Sequence, residues 1–184
     1  MTREQFIQKY YPGIVAISKD TNVFPTVMLA QAIIESSGKV NGVYLPGESL
    51  LAKNANNYFG IKASSSWKGA TITLKTGEYL NGQYVSVSGV FRKYNNPIDS
   101  FKDYIQFLKD NPRYTTAGVF TATTPGEQAE RLQKAGYATD PNYSNLIKGV
   151  INSITKYLPN ISTTVAFSGS ALILIVGIYL FLNR

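Results

Sequence analysis

The spacing of hydrophobic and polar positions predicts that the first part of this chain is mainly helical. Thr2 and Gln5 have the spacing of a capping box, so a first helix is predicted to begin there. The Tyr11-Pro12-Gly13 stretch should kink or break that helix and start a second piece. A further helix is predicted from Pro25 to a stop at Gly38. Its core-facing positions are Leu29, Ala32, Ile33 and Ser36.

Three more helices are predicted in the second half of the domain. The first begins at Pro97 and ends at Asn111-Pro112, because a residue before proline avoids the helical conformation. The second lies between a capping box at Thr124 and a stop at Gly136. The third is capped by Asp140-Pro141. Its apolar stripe consists of Leu146, Ile147, Val150, Ile154 and Leu158.

Between these two groups of helices, residues 39–55 are predicted to form mostly loop, and residues 70–94 a β-hairpin. Asn81-Gly82 separates two β-rich runs, which is the strongest short-range hairpin signal. A two-residue turn there places Glu78 opposite Val85. Most glutamates on hairpins are solvated surface residues, and this is the alternative to a functional role for Glu78.

The C-terminal segment differs from the rest because residues Val165 to Leu182 include no charged residue. A run of 18 residues is near the minimum for a helix that spans a bilayer. We therefore predict a domain over residues 1–158, a linker over 159–164 and a transmembrane helix over 165–182. Lys156 and Arg184 flank the two ends, so charge gives no clear orientation. No secretory signal is recognised at the N-terminus.

The amino-acid composition narrows the chemistry, because the chain has no Cys and no His among its 184 residues. Zinc sites built on imidazole or thiolate, Cys nucleophiles and Ser-His-Asp triads are therefore excluded. Hydrolytic chemistry must depend on carboxylates, hydroxyls or lysine. The eleven acidic residues are the main candidates, and we expect no metal and no cofactor.

The formal net charge of +7 suits an anionic partner such as nucleic acid, anionic lipid or a wall polymer. The basic residues are scattered and form no nucleic-acid motif, so a nucleic-acid partner is not expected. The 13 Tyr residues suit a groove that stacks on sugar faces, although many of them should simply be core residues.

Glu35 stands among apolar residues in the last turn of the helix predicted from Pro25. The helix dipole disfavours an anion there by about 0.3–1 kcal/mol, and partial burial disfavours the charged form further. Both effects should raise the pKa of Glu35, as general-acid catalysis requires near neutral pH. The alternative is a glutamate that merely points outward from the helix.

These elements predict an α+β, mainly α domain in which a helix ending on Glu35 faces a small hairpin lobe that carries Glu78. That arrangement is lysozyme-like. The segments AQAIIESSG, NNYFGIKASSSWKG, TGEYLNGQYVSVSGVFRKY, NPRY and AGYATDPNYSNLI resemble glycoside hydrolase family 73 in order and spacing. This family comprises bacterial and phage N-acetylglucosaminidases, including flagellar peptidoglycan hydrolases.

The resemblance implies roles for particular residues. Glu35 matches the catalytic acid, and Glu78 matches the second carboxylate on a mobile hairpin. Tyr137 matches a tyrosine that lines the cleft, and Tyr143 is either a second cleft residue or part of the helix packing. The segment at the cleft floor matches Asn57, Phe59 and Gly60. The family often has an aromatic residue soon after the catalytic Glu, where this chain has Ser36-Ser37-Gly38-Lys39.

The resemblance thus implies a peptidoglycan hydrolase that cleaves glycan strands, most simply as an endo-β-N-acetylglucosaminidase. A lytic transglycosylase or a muramidase on the same fold is the first alternative, and a non-catalytic wall-binding membrane protein is the second.

The expected location must satisfy two conditions. Residues Val165 to Leu182 contact a bilayer, and the substrate is a wall polymer outside the cytoplasmic membrane. Because no signal peptide is predicted, we expect the membrane of a lipid-containing bacteriophage virion or, alternatively, the host inner membrane.

Overall fold

Helices and two hairpins alternate along the chain, which is described here from a computed structural model. The described residues are 1–80 and 83–159, with side chains described for 1–75 and 87–159. The helices are α1 (Arg3–Ser18), α2 (Pro25–Ser36), α3 (Leu50–Ala55), α4 (Pro97–Asp110), α5 (Pro112–Thr116), α6 (Pro125–Lys134) and α7 (Tyr143–Ile154). The strands are β1 (Gly38–Val40), β2 (Val43–Leu45), β3 (Thr71–Leu80) and β4 (Gln83–Arg92).

The central element is α2, which packs against α1, α6 and α7. Every residue from Val27 to Ile33 is buried, because a helix surrounded by other helices has no face left for solvent. Pro25 occupies its first turn, where a missing N–H has no intrahelical partner to lose. The predicted core positions Leu29, Ala32, Ile33 and Ser36 are all buried. The prediction of this helix is confirmed.

The predicted break at Pro12 is wrong, because α1 runs without interruption from Arg3 to Ser18 with Pro12 inside it. Packing on both sides of the proline explains the difference. Phe6 and Ile7 before it and Ile14 after it are fully buried on the same helix. Burial of these side chains outweighs the roughly 3 kcal/mol that a proline costs inside a helix.

Residues 39–55 were predicted to be mostly loop, but they contain a short hairpin and a helix. Strands β1 and β2 join through Asn41 and Gly42, whose φ angles of 49° and 85° suit a tight two-residue turn. Helix α3 begins after Ser49, whose hydroxyl accepts a hydrogen bond from the Ala52 N–H. The turn at Asn41-Gly42 and the Ser49 cap therefore produce a hairpin and a helix in a segment rich in Gly and Asn.

The longer hairpin has the predicted register, with continuous pairing from Thr71 opposite Arg92 to Leu80 opposite Gln83. Glu78 is opposite Val85, as the Asn81-Gly82 turn predicts. The base of this hairpin is fixed to α4 by Arg92, whose guanidinium lies 2.8 Å from the Asp103 carboxylate.

The helices after the hairpin confirm most of the predicted boundaries. The exception is α7, which begins at Tyr143 rather than at Pro141, since Asp140 accepts a hydrogen bond from the Asn142 N–H and forms a turn instead. Ile147 and Ile154 are fully buried, but Leu146 is 42% exposed and does not belong to the core stripe.

Within residues 1–80 and 83–159, no helix is both long enough and apolar enough to cross a bilayer. The predicted linker beyond Pro159 and the predicted transmembrane segment Val165–Leu182 lie outside the described residues. Both therefore stay predictions from the sequence.

Candidate active site

Glu35 is the penultimate residue of α2, and the chain around it is fixed by two serines. The Ser36 hydroxyl donates to the Ala32 carbonyl at 2.5 Å and accepts from the Gly47 N–H at 2.9 Å. The Ser37 hydroxyl donates to the Ile33 carbonyl at 2.6 Å. These bonds satisfy carbonyls at the end of α2. Ser36 and Ser37 thus anchor the helix end that carries Glu35.

The Glu35 carboxyl group is held by a buried chain of hydrogen bonds. The Tyr143 hydroxyl donates to Glu35 Oε1 at 2.7 Å. The same hydroxyl accepts from Gln31 Nε2 at 3.0 Å. In turn, the hydroxyl of Tyr104 donates to Gln31 Oε1. Tyr143 is 3% exposed, and Gln31 and Tyr104 are fully buried, so this network fixes the position of the carboxyl group.

Burial raises the pKa of the Glu35 carboxyl group above its ordinary value, and the hydrogen bond from Tyr143 opposes that rise. Burial is the larger effect, because the charged form loses more hydration than one hydroxyl can replace. The direction agrees with the sequence argument. Glu35 is therefore a carboxylic acid that keeps its proton to a higher pH than a solvated glutamate.

Glu35 opens on a pocket of about 250 Å³ with aromatic walls. The other lining residues are Phe59, Gly60, Ile61, Phe107, Arg113, Tyr114, Tyr137 and Ala138. The ring of Tyr137 stacks on that of Tyr143, with centroids 5.7 Å apart and planes 15° apart. The ring of Phe59 stacks on Tyr104 at 4.2 Å. Such a pocket can place a sugar face against aromatic rings and next to a protonated acid.

The predicted binding residues divide into two groups. Phe59, Gly60 and Tyr137 line the pocket with Glu35. Tyr143 is 3% exposed and does not line the pocket, but its hydroxyl donates to the Glu35 carboxyl group. Asn57 is 1% exposed and does not line the pocket.

The side chain of Asn57 instead organises the loop that carries Phe59 and Gly60. Its amide nitrogen donates to the carbonyls of Ile61 and Arg92, at 3.0 and 2.9 Å. Its amide oxygen accepts from the Ile61 N–H at 3.1 Å. Asn57 is thus a positioning residue that joins the pocket floor to the end of β4.

Glu78 lies in β3, two residues before the end of the strand. The structure gives its backbone register, but its side chain lies outside the described part of the chain. The assignment of Glu78 as a second carboxylate therefore stays a prediction.

Of the acidic side chains that the structure describes, Glu35 is the one that lines this pocket. Several others have structural partners: Glu48 with Lys53, Asp103 with Arg92, Glu127 with Arg131, and Glu130 with Lys148. No group of three or more acidic side chains suited to a metal ion occurs among the described residues. The arrangement therefore brings one partly buried carboxyl group to the pocket, as acid catalysis would require.

Gln31, Tyr104 and Tyr114 are parts of the site that the sequence reasoning did not assign. The i,i+4 spacing of Gln31 and Glu35 does place them on one face of α2. Tyr114 belongs to the NPRY segment, which carries part of the family resemblance. The sequence gives no signal for Tyr104, because its ring reaches the network only through packing between α4 and α2.

The mainly helical α+β architecture, with a partly buried glutamate at a helix end beside an aromatic pocket, is the lysozyme-like glycoside hydrolase fold. The chain belongs to the glucosaminidase family, described as mannosyl-glycoprotein endo-β-N-acetylglucosaminidase, whose family model matches residues 11–156. This match confirms the family resemblance found in the sequence.

Two relatives show the extent of the similarity. The peptidoglycan hydrolase FlgJ of Salmonella typhimurium is 38% identical over 148 residues, which are 80% of this chain and 45% of FlgJ. The exo-glucosaminidase LytG of Bacillus subtilis is 34% identical over 133 residues, 71% of this chain and 44% of LytG. This chain therefore spans less than half the length of either relative.

Solved structures agree with the fold. The catalytic domain of the autolysin Auto from Listeria monocytogenes gives a TM-score of 0.68 at 32% identity, covering 85% of this chain and 88% of that one. A truncated glycoside hydrolase domain of Salmonella typhimurium FlgJ gives 0.61 at 34% identity, covering 84% and 98%.

Proposed function

We propose that this domain cleaves the glycan strands of peptidoglycan as an endo-β-N-acetylglucosaminidase, with Glu35 as the general acid. The observation that carries the proposal is the partly buried Glu35 carboxyl group, which lines an aromatic pocket and is held by Tyr143. Family membership and the similarity to peptidoglycan hydrolases support the choice of substrate.

The proposed reaction begins with proton transfer from Glu35 to the glycosidic oxygen. The bond between that oxygen and the anomeric carbon then breaks, and positive charge develops on the sugar ring. Because burial raises the pKa of Glu35, its carboxyl group holds the proton to a higher pH than a solvated glutamate, which favours proton donation to the bound sugar. The hydroxyl of Tyr143 then stabilises the carboxylate that forms.

We assign the second carboxylate to Glu78, which would activate water or stabilise the sugar cation. Its place on the long hairpin and the match to the family's second carboxylate support this assignment. An inverting, a retaining or a substrate-assisted route is possible for this pair, and the anomeric configuration of the first product, followed by NMR, separates inversion from retention.

Glu35→Gln tests the acid assignment. Glutamine keeps the shape and can accept the Tyr143 hydrogen bond, but it cannot donate the acid proton. Activity on purified sacculi should fall by roughly 100-fold or more. If the Glu35→Gln chain clears sacculi as fast as the parent chain, Glu35 is not the acid.

Mass spectrometry of the soluble products identifies the bond that is cut. A reducing N-acetylglucosamine end supports the proposed glucosaminidase. A reducing N-acetylmuramic acid end means a muramidase, and a 1,6-anhydro end means a lytic transglycosylase. Binding to sacculi without any released product would favour a non-catalytic wall-binding protein.

We also propose that Val165–Leu182 anchors the domain to a bilayer, and its length and lack of charge support this. The full chain should then partition with lipid vesicles and resist extraction by high salt, since salt weakens only electrostatic attachment. Release by salt alone would contradict the anchor. We propose more specifically that the bilayer is a virion membrane. Detection of the protein in purified virus particles would test this.

A further inference from the structure

Arg113 is the basic residue that lines the pocket of Glu35 among the side chains described. Its Nη1 donates to the Gly136 carbonyl at 3.1 Å, and its Nη2 donates to the Tyr114 hydroxyl at 2.6 Å. The guanidinium carbon also lies 4.7 Å from the centroid of the Tyr114 ring. These partners hold the guanidinium group in place against a fully buried tyrosine.

The partners of Arg113 leave its charge uncompensated. Both oxygens that accept from it are uncharged, whereas Arg92 and Arg131 are paired with the carboxylates of Asp103 and Glu127 in the described structure. A guanidinium group has five N–H donors, and the two bonds described leave others available. Arg113 therefore presents a fixed cation with spare donors at the pocket.

The charge of the pocket favours an anion. Arg113 and Glu35 line the same pocket, and burial raises the pKa of Glu35, so its carboxyl group carries less negative charge beside Arg113 than a solvated glutamate at the same pH. A guanidinium group that is already held in position binds a carboxylate with little further loss of side-chain freedom.

The sugar rings of a peptidoglycan strand are themselves neutral, and its carboxylates belong to the lactyl group of N-acetylmuramic acid and to the stem peptide. We infer that Arg113 binds one of these carboxylates and thereby selects peptidoglycan over neutral polymers of N-acetylglucosamine. This inference rests on the proposed function, because it assumes a peptidoglycan strand in the pocket of Glu35.

The test measures binding by full-length chains that carry Glu35→Gln, so that cleavage does not interfere. Three soluble probes are compared: muramyl glycans without peptide, peptide-bearing muramyl glycans, and neutral N-acetylglucosamine oligomers. Adding Arg113→Gln should weaken binding of at least one muramyl probe by about 10- to 100-fold, as expected for loss of a charged hydrogen bond. Binding of the neutral oligomers should be unchanged.

The pattern of losses identifies the source of the carboxylate. Weaker binding of the peptide-free glycan alone indicates the lactyl carboxylate, which is an amide when the peptide is present. Weaker binding of the peptide-bearing glycan alone indicates the stem peptide. Arg113→Lys, which keeps the charge, should restore part of the lost affinity.

A matched control is Arg3→Gln, because Arg3 is exposed, donates to the Ser153 hydroxyl and lies outside this pocket. It should leave all three affinities unchanged. Equal affinities with and without Arg113, or an equal loss for all probes including the neutral oligomers, would overturn the inference. If the Glu35→Gln chain binds none of the probes, the proposed function fails and the Arg113 inference with it.

Discussion

Replacing Tyr143 by Phe removes one hydroxyl group from the centre of the site, and its consequences follow from two hydrogen bonds. The hydroxyl donates to Glu35 Oε1 at 2.7 Å and accepts from Gln31 Nε2 at 3.0 Å. Phenylalanine can do neither. Because Gln31 is fully buried, its N–H would lose its partner without gaining water.

The expected loss of stability is about 1–3 kcal/mol, the usual cost of leaving a buried polar group unsatisfied. For a domain of this size, that corresponds to a decrease in melting temperature of roughly 2–12 °C. The effect on Glu35 has a definite sign. Since the Tyr143 hydrogen bond lowers the pKa of Glu35, its removal should raise that pKa further.

A general acid must be protonated, so activity is lost as pH rises through its pKa. In Tyr143→Phe, the alkaline limb of the kcat/KM profile should therefore move to higher pH, even though the maximum rate falls. Thermal melts and pH–rate profiles on sacculi measure the two effects. An unchanged melting temperature, or an alkaline limb that moves to lower pH, would contradict the role of the Tyr143 hydroxyl described here. Tyr44→Phe is the matched control, because Tyr44 is 68% exposed.

Other substitutions test single features of the site. Glu35→Gln should melt at a higher temperature than the parent chain at pH 7. Because the pKa of Glu35 is raised in the folded state, the parent chain loses stability as pH rises above 4.5, the ordinary pKa of a glutamate. The difference in melting temperature should therefore vanish near pH 3. Gly60→Ala should lose about 1 kcal/mol of unfolding free energy in denaturant titrations, because the φ angle of Gly60 is +63° although its Cβ would have space. Glu78→Gln should reduce turnover on sacculi with a stability change below about 0.5 kcal/mol, and equal losses of both would indicate a structural role.

Local signals in the sequence were enough to predict the elements that carry Glu35 and Glu78. Pro25 and Gly38 predict the ends of the helix that carries Glu35, and the Asn81-Gly82 sequence predicts the observed pairing of the long hairpin's strands. The same dipeptide at Asn41-Gly42 forms the turn of the short hairpin, but its strands have only three residues each. Strands of that length carry too little alternation of polar and apolar residues to be recognised.

The parts that could not be predicted depend on contacts between distant segments. Tyr137 and Tyr143 are close in sequence, and the sequence pattern alone does not tell which hydroxyl reaches Glu35. The contact that decides it joins residues 108 positions apart. Gln31 presents a similar case, since a polar residue in an apolar helix becomes part of the site only when Tyr104 and Tyr143 provide partners.

If Glu35 is the general acid, as proposed, the direction of the hydrogen bonds in this network explains how a partly buried carboxyl group can both hold and release a proton. Tyr104 donates to Gln31, Gln31 donates to Tyr143, and Tyr143 donates to Glu35, so every bond in the chain is oriented toward the carboxyl group. Aligned donors polarise one another and stabilise a negative charge at the end of the chain. Burial favours the protonated acid before bond cleavage, and the aligned donors stabilise the carboxylate that remains after the proton leaves. The proposed role of Glu35 requires that both protonation states be accessible. Burial of the carboxyl group favours the protonated state, and the polar network favours the ionised state.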